Sequence, residues 1–463
     1  MANRWKGNFV VATAATSSGT DYTGKANGAW GLNSQLQQKQ GGLWAKGIGA
    51  PSAPTIGTAA KGTSGQATVT FTPPTITGGG SITLYTATST PSGITGTSTS
   101  SPITVNGLTN GTTYTFTVNA TNSLGYKSAE SSPSNSVVPS AGGFGTKYAN
   151  PATLPSGSGK DVAFNPAGTV IAVSQSDSPY VVSYPWSAGF GTKYADPTVV
   201  SSNTADGVTF NSAGTVIAIT SNSSPFVAAY IWSNGFGSKY ADPSTLPAGD
   251  GNGIAFNPAG TVIAVAHWTS PYISIYPWSN GFGTKYANPT TLPDAIGFGV
   301  SFNPAGTAVA VAHAGGNHIS VYPWSAGFGA KYANPTTSPL ENCNDVTFNF
   351  DGTVIAVSQN YSPTVVAYPW SAGFGTKYIN PTSIPAGSGV GLTFNSAGTA
   401  ISVACSSSPY VTAYTWNSGF GTIYDAPVTL PTGSGNKVQF NPTGAVIAVA
   451  HDASPYISTY TFT

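Results

Sequence analysis

Three histidines, His267, His313 and His451, stand at one repeated place, eleven residues after a phenylalanine that recurs every 46 residues. The other repeats put Gln175, Ser221, Gln359 and Cys405 there. Imidazole is a common metal ligand, but no carboxylate joins this set, and His451 belongs to a repeat distant from the other two. The expected role is a hydrogen-bonded polar position beside a turn, with no metal and no other cofactor. Asp161, Asp206 and Asp345 are read at one place, three residues before the same phenylalanine, with Lys437 there in the last repeat. A carboxylate so placed suits turn capping, whereas acid–base catalysis needs two close carboxyls with separated pKa values. Acidic residues look scattered, and no nucleophile motif, phosphate loop or zinc spacing occurs. No catalytic residue is named, and the chain is not expected to be an enzyme.

Binding chemistry has a better candidate. Tyr180, Phe226, Tyr272, Tyr410 and Tyr456 each follow a Ser-Pro pair, with His318 and Thr364 at the same place in the remaining repeats. Flanked by Ser, Asn and Asp, these aromatics could stack on sugars and form a ligand face. Equally, they could be core residues that begin a strand. Lys147, Lys193, Lys239, Lys285, Lys331 and Lys377 also recur, with Ile423 in the last copy. A basic ring is one reading; a charge that keeps an edge strand from pairing is the simpler one.

The elements that carry these residues follow from the repeat. "GFGTKYANP" at Gly143 returns in near copies at Gly189, Gly235, Gly281, Gly327, Gly373 and Gly419. Seven anchor phenylalanines, Phe164 to Phe440, mostly sit in "FNPAGT" or "FNSAGT", and a "YPW"-like triplet closes each unit. A fixed period of this length marks one supersecondary unit stacked repeatedly. "DVAF", "TVIAVS", "YVVSY" and "GFGTKY" read as four short strands separated by turns. Seven such units describe a seven-bladed β-propeller over residues 141–463. Pro185 and its equivalents cannot donate to a ladder, so that place is expected at a strand's end. The last unit stops at Thr463 without its own "GFGTKY", while the copy at Gly143 has no unit ahead of it. The expectation is a closing outer strand, Phe144 to Tyr148, paired with Ile457 to Phe462.

The order of these segments resembles WD40-like propellers, with "VAFNPAGTVIAV" where that family has its "VAFSPDG" segment and "YPW" where it has "IWD". The Gly-His and Asp network of true WD40 repeats is missing, so the resemblance implies architecture and not partners. Residues 51–140 hold "TVTFT", "ITLYTAT" and "YTFTVNAT", whose alternation gives half-buried antiparallel strands. "LTNGTTY" ends in Tyr114, which fits the tyrosine corner of Ig-like sandwiches. This segment resembles a fibronectin type III domain, departing at Phe71, where that family usually has tryptophan. The overall class is therefore all-β.

Residues 1–50 carry Trp5, Trp30 and Trp44 and a short helix signal near residues 34–40, where Ser34 and Gln37 make a capping box around Leu36. So short a segment cannot bury three indoles by itself. Trp5, Trp30, Leu36 and Trp44 are the candidate anchoring contacts, either to the neighbouring sandwich or inside another protein. Arg4 and Lys6 before an apolar run imitate a secretory signal, but the run is short and thins into Thr and Ala. No signal peptide is expected, and no 18-residue apolar segment spans a membrane.

Bulk properties narrow the function. A chain of 463 residues exceeds one core. Only 6% of residues are charged and the net charge is +1, which argues against nucleic acid. Cys343 and Cys405 are expected as buried free thiols. The arm resembles the beginning of virion structural proteins of tailed bacteriophages, cyanophages among them, and fibronectin-like modules are frequent on such particles. That resemblance implies a non-enzymatic structural or decoration protein on the virion surface. Its arm would bind other virion proteins of capsid, neck or tail, and its propeller would meet host-surface polysaccharide. The alternative is a secreted bacterial surface adhesin that binds polysaccharide.

Overall fold

The computed structural model describes residues 49–62, 65–139, 142–199 and 203–463, which divide into two compact units, one ending at Pro139 and one running to Thr463. Trp5, Trp30, Leu36, Trp44 and the helix expected near residues 34–40 lie outside the described residues.

The first unit is a sandwich of two three-stranded sheets. One orders β1 (Thr55–Lys61), β2 (Ala67–Thr72) and β5 (Ile103–Val105); the other orders β4 (Thr95–Ser98), β3 (Ile82–Thr90) and β6 (Thr115–Asn122). Alternation puts Val69, Phe71, Tyr85, Ala87, Phe116 and Val118 in one core, where Phe71 lies 4.4 Å from Tyr85. Tyr114 is buried, and its hydroxyl accepts the Thr109 N–H at 3.1 Å, which is the tyrosine corner expected. The outer edge of β6 is not covered by a regular strand. Ser128, Ser131 and Ser134 accept the N–H groups of Ala120, Val118 and Phe116 through their hydroxyls, at 2.9, 2.9 and 3.0 Å. Their own backbone N–H groups return to the same three residues' carbonyls. A serine every third residue thus saturates an edge that would otherwise template pairing.

The second unit is the seven-bladed propeller, built from seven separate antiparallel sheets. In the first blade the inner strand is Gly159–Phe164, the middle strand Val170–Gln175 and the third Val181–Pro185. Middle strands are buried along their whole length because each blade is sandwiched between two others. Val170, Ala172 and Val181 pack against Ile217, Ile219 and Ala228 of the second blade, so a face with a small residue meets one with large residues. That is the physical use of "VIAV". The "FNPAGT" turn also has a local cause: the carboxamide oxygen of Asn165 accepts the N–H groups of Thr169 and Val170 at 2.8 and 2.9 Å. Gly168 takes φ +68°, a conformation costly for any residue with a Cβ.

The expectation of four strands per blade is met in three blades only. The second, sixth and seventh sheets have four strands; the others have three plus one bridge, such as Trp186 to Phe190. The three-stranded blades are those with proline before tryptophan: Pro185, Pro277, Pro323 and Pro369. Trp186 N–H points inward to Thr169 O, whereas the carbonyls of Ser183 and Pro185 face outward and accept Tyr194 and Gly191. Backbone groups alternate sides along a strand, so the missing N–H at Pro185 is one that would face the outermost segment. Ile231, Thr415 and Thr461 restore that donor.

The ring closes as expected from the displaced first copy. β7 (Phe144–Lys147) is the fourth strand of the last blade and pairs with Ile457–Phe462, Phe144 opposite Phe462 and Lys147 opposite Tyr460. Gly143 N–H donates to Thr463 O at 2.6 Å, and the Thr463 N–H returns to Gly143 O at 3.1 Å. Phe144 meets Tyr460 and Phe462 edge-on at 5.8 and 5.5 Å.

Candidate functional site

The histidines are polar members of the blades. His267, His313 and His451 end their middle strands fully buried, and each Nε2 lies 3.0 Å from a serine hydroxyl, Ser274, Ser320 or Ser458. Burial pulls His267 and His451 down to about 4 and lowers His313 as well. These rings are therefore neutral at pH 7. Among the described residues no group of His, Cys, Asp and Glu could hold a metal ion. Cys343 and Cys405 are free and buried, with Cys405 pushed up to about 12 by that burial.

The Ser-Pro aromatics occupy a strained turn at the same end of the blades. Tyr180, Phe226, Tyr272, Tyr410 and Tyr456 all have φ between 63° and 67°, and His318 is at 62°. Tyr180 donates its N–H to Asp177 O at 2.8 Å and accepts Gln175 N–H at 2.9 Å, and the other repeats copy this. The five side chains are half-buried, Tyr180 against the core shared by the first two blades. No hydrogen bond or ring contact joins any two of them among the described residues. Lys147, Lys193, Lys239 and Lys285 each reach an Asn or Asp three residues on, and Lys377 meets Asn380 at 3.0 Å. The lysine thus also closes the "KYAN" turn.

The carboxylates read as turn caps sit elsewhere. The inner strands line the central channel, and their first residues surround a cavity of about 320 Å³ that includes Lys160, Asp161, Asp206, Asn252, Asp345 and Lys437. The scatter of acidic residues in sequence becomes a cluster in space, because a 46-residue period returns each inner strand to the same axis. Asp161 and Asp345 stand three residues before their phenylalanine, Asp206 four, so two neighbouring rings contribute. Asp161 accepts the Val162 N–H at 2.7 Å and, across the blade seam, the Val208 N–H at 3.0 Å. Asp345 accepts the Leu392 N–H of the next blade at 3.0 Å and pairs with Lys437 at 2.6 Å. Burial pushes Asp161 up to about 6 against the pull of Lys437, and Asp206 up to about 6 against Lys160. Burial works against the charge of Lys437, but Asp345 and Asp161 outweigh it and raise its pKa.

Carboxamides complete the mouth. Asn252, Asn344 and Asn436 each donate to the carbonyl of Gly297, Gly389 or Gly159 in the following blade, all at 2.7 Å. The last of these bridges the seam between the final and first blades, as does Phe164 N–H to Gln439 Oε1 at 2.7 Å. This cluster was missed in the sequence; the signal available was that repeats otherwise nearly identical differ at this place.

Comparison with known proteins bears on fold. Residues 52–137 match the model of the fibronectin type III domain. Among curated proteins, none matches the sequence. Hydrazine synthase from Kuenenia stuttgartiensis superposes with TM-score 0.52 at 15% identity, covering 67% of this chain and 97% of that one. The Cps50 (Swd1) beta-propeller domain of Myceliophteria thermophila gives TM-score 0.52 at 12% identity, covering 67% and 99%. At such identity the likeness is one of fold alone. Among the described residues no helix is long and apolar enough to cross a membrane. The chain thus contains a fibronectin type III domain, at residues 52–137, and a seven-bladed β-propeller.

Proposed function

We propose that this is a non-enzymatic virion structural protein of a tailed bacteriophage. Its N-terminal arm binds capsid, neck or tail proteins, and its propeller contacts polysaccharide on the host surface. The observation that carries this reading is the combination of a propeller closed by its own latch with a fibronectin type III domain directly ahead of it. A ring latched in this way needs no partner to complete it and can serve as a rigid display unit. Modules of the fibronectin kind are frequent on phage particles, and the tryptophan-rich arm resembles the start of virion proteins. Asp161 and Asp345 of the channel accept backbone N–H groups, and Asp345 also pairs with Lys437, which is a bonding pattern of structure rather than of proton transfer.

The test is a chain lacking residues 1–49. It should fold, with the melting behaviour of the full chain, and be absent from purified particles. Incorporation at the normal level would overturn the anchoring role. Cleavage of the mature protein after its Ala-rich N-terminal stretch, read by N-terminal sequencing, would favour a secreted adhesin instead.

A further inference from the structure

We infer that the channel mouth is a binding site for the terminal one or two neutral pyranose units of a glycan; this rests on the host-contact reading above and names its ligand. The argument begins with where the repeats stop being copies. Four residues before the anchor phenylalanine the seven units carry Lys160, Asp206, Asn252, Phe298, Asn344, Val390 and Asn436. All seven line the same cavity of about 320 Å³. Ring cohesion does not require this variety. Three asparagines tie their blades to the next, while among the described residues the Lys160 ammonium makes no hydrogen bond or ion pair. Burying charge costs desolvation even when it is paired, yet a chain with only 6% charged residues gathers buried Asp161 and Asp345 and half-buried Lys437 here. Divergence at the mouth turns a symmetric ring into an asymmetric site.

One side chain of that lining is aromatic, Phe298, and it has an exposed aromatic neighbour. Trp268 is 52% exposed in the turn of the third blade, at a place where the other repeats have Ser176, Asn222, Ala314, Asn360, Ser406 and Asp452. Its ring lies outside the cavity lining and meets Phe298 edge-on at 6.5 Å. The lining also holds planar acceptors, Asn252 and Asn344 on the two blades beside Phe298 and Asp206 on the second blade, and the ammonium of Lys160 on the first. A pyranose presents an apolar C–H face that covers an aromatic ring, and vicinal hydroxyls that both donate and accept. Donation would go to the carboxylate and carboxamide oxygens, acceptance from Lys160. The volume lies at the lower end of small-molecule sites, enough for one or two rings. Two lysines against three aspartates nearly balance, which disfavours a strongly charged ligand.

The experiment uses the full chain with maltose, lactose and N,N′-diacetylchitobiose as probes, read by saturation-transfer NMR. At least one should receive saturation on its ring protons, and its affinity should fall about tenfold or more in Phe298→Ala. Lys160→Ala should lower it as well. Tyr361→Ala removes an aromatic that is 66% exposed and does not line the cavity, and it should leave binding unchanged. No transfer to any of the three sugars, or equal affinity in Phe298→Ala, overturns the site. Particle incorporation measured on the same variants keeps the two proposals apart. Sugar binding can fail with incorporation intact, and the residues 1–49 deletion can lose incorporation while its sugar binding persists.

Discussion

The rim of each blade and the mouth of the channel are built from the same repeat and obey opposite rules. At the rim, Trp186 sits edge-on among Tyr148, Phe164 and Phe190 at 5.1, 5.8 and 5.0 Å. The arrangement returns around Trp232, Trp278, Trp324, Trp370 and Trp416, and around Phe462 in the last blade. Every box takes its tyrosine from the preceding unit, so it couples neighbours as well as filling a blade. At the mouth no two adjacent units carry the same pair of residues. Packing rewards repetition, since one solved jigsaw can be used seven times; a binding surface on the axis of a ring gains only from difference.

The largest test of that contrast is Trp186→Ala, which should lower stability by about 3–5 kcal/mol, as removal of a large buried aromatic does. Urea denaturation reads it, and a loss below about 1 kcal/mol would mean the boxes are not what holds the rim. A smaller effect is expected at the mouth. Lys437→Gly gives the last blade the residue found at Gly207, Gly253, Gly299 and Gly391, and leaves Asp345 buried without its cation. The expected cost is about 2–4 kcal/mol. Adding Asp345→Gly should recover much of it, because a half-removed pair is worse than none; failure to recover would mark the lysine as a packing group.

The mildest test separates the two ends of the buried charge set by pH. His267 and His451 have folded pKa values near 4, below the ordinary 6.5, so the unfolded chain takes up protons first and stability is lost as pH falls from about 6.5 to 4. Asp161 and Asp206 are near 6 when folded, above the ordinary 3.8, so the folded state holds more protons over about 4 to 6 and gains stability as pH falls. Opposed signs should leave the melting temperature of the wild type nearly level across that window. The double variant His267→Gln, His451→Gln installs the residue that Gln175 and Gln359 already supply in other blades. Its melting temperature should rise by a few degrees on acidification from pH 6.5 to 4.5; a fall would show that the mouth carboxylates are not the opposing groups.

Much of this architecture was legible before any coordinates. Period and alternation gave the blades, Tyr114 the sandwich corner, and the orphan first copy at Gly143 the latch. What was not legible depended on groups that a pattern does not display. Proline places its position at a strand's end, yet the outermost ladder depends on which side of the strand its absent N–H would face. The segment from Ser128 to Ser134 reads as loop, because hydroxyls bonding a neighbouring edge have period three and not two. Asp161, Asp206 and Asp345 looked scattered because distance along a repeat says nothing about distance across the axis it winds around. Trp268 hid by being an exception inside a repeat, where attention goes to what recurs.

The latch also sets an order of events. Residue 144 is made before any blade exists, and its partner at residue 462 only after the last one is complete. Loop closure of such length adds entropy cost only slowly with chain length, so the delay is one of synthesis rather than of thermodynamics. Until then Phe144 and the edge of β7 wait unpaired on the nascent chain, and six blades can stack without forming a ring. Closure by this pairing is therefore the last step that the order of synthesis allows.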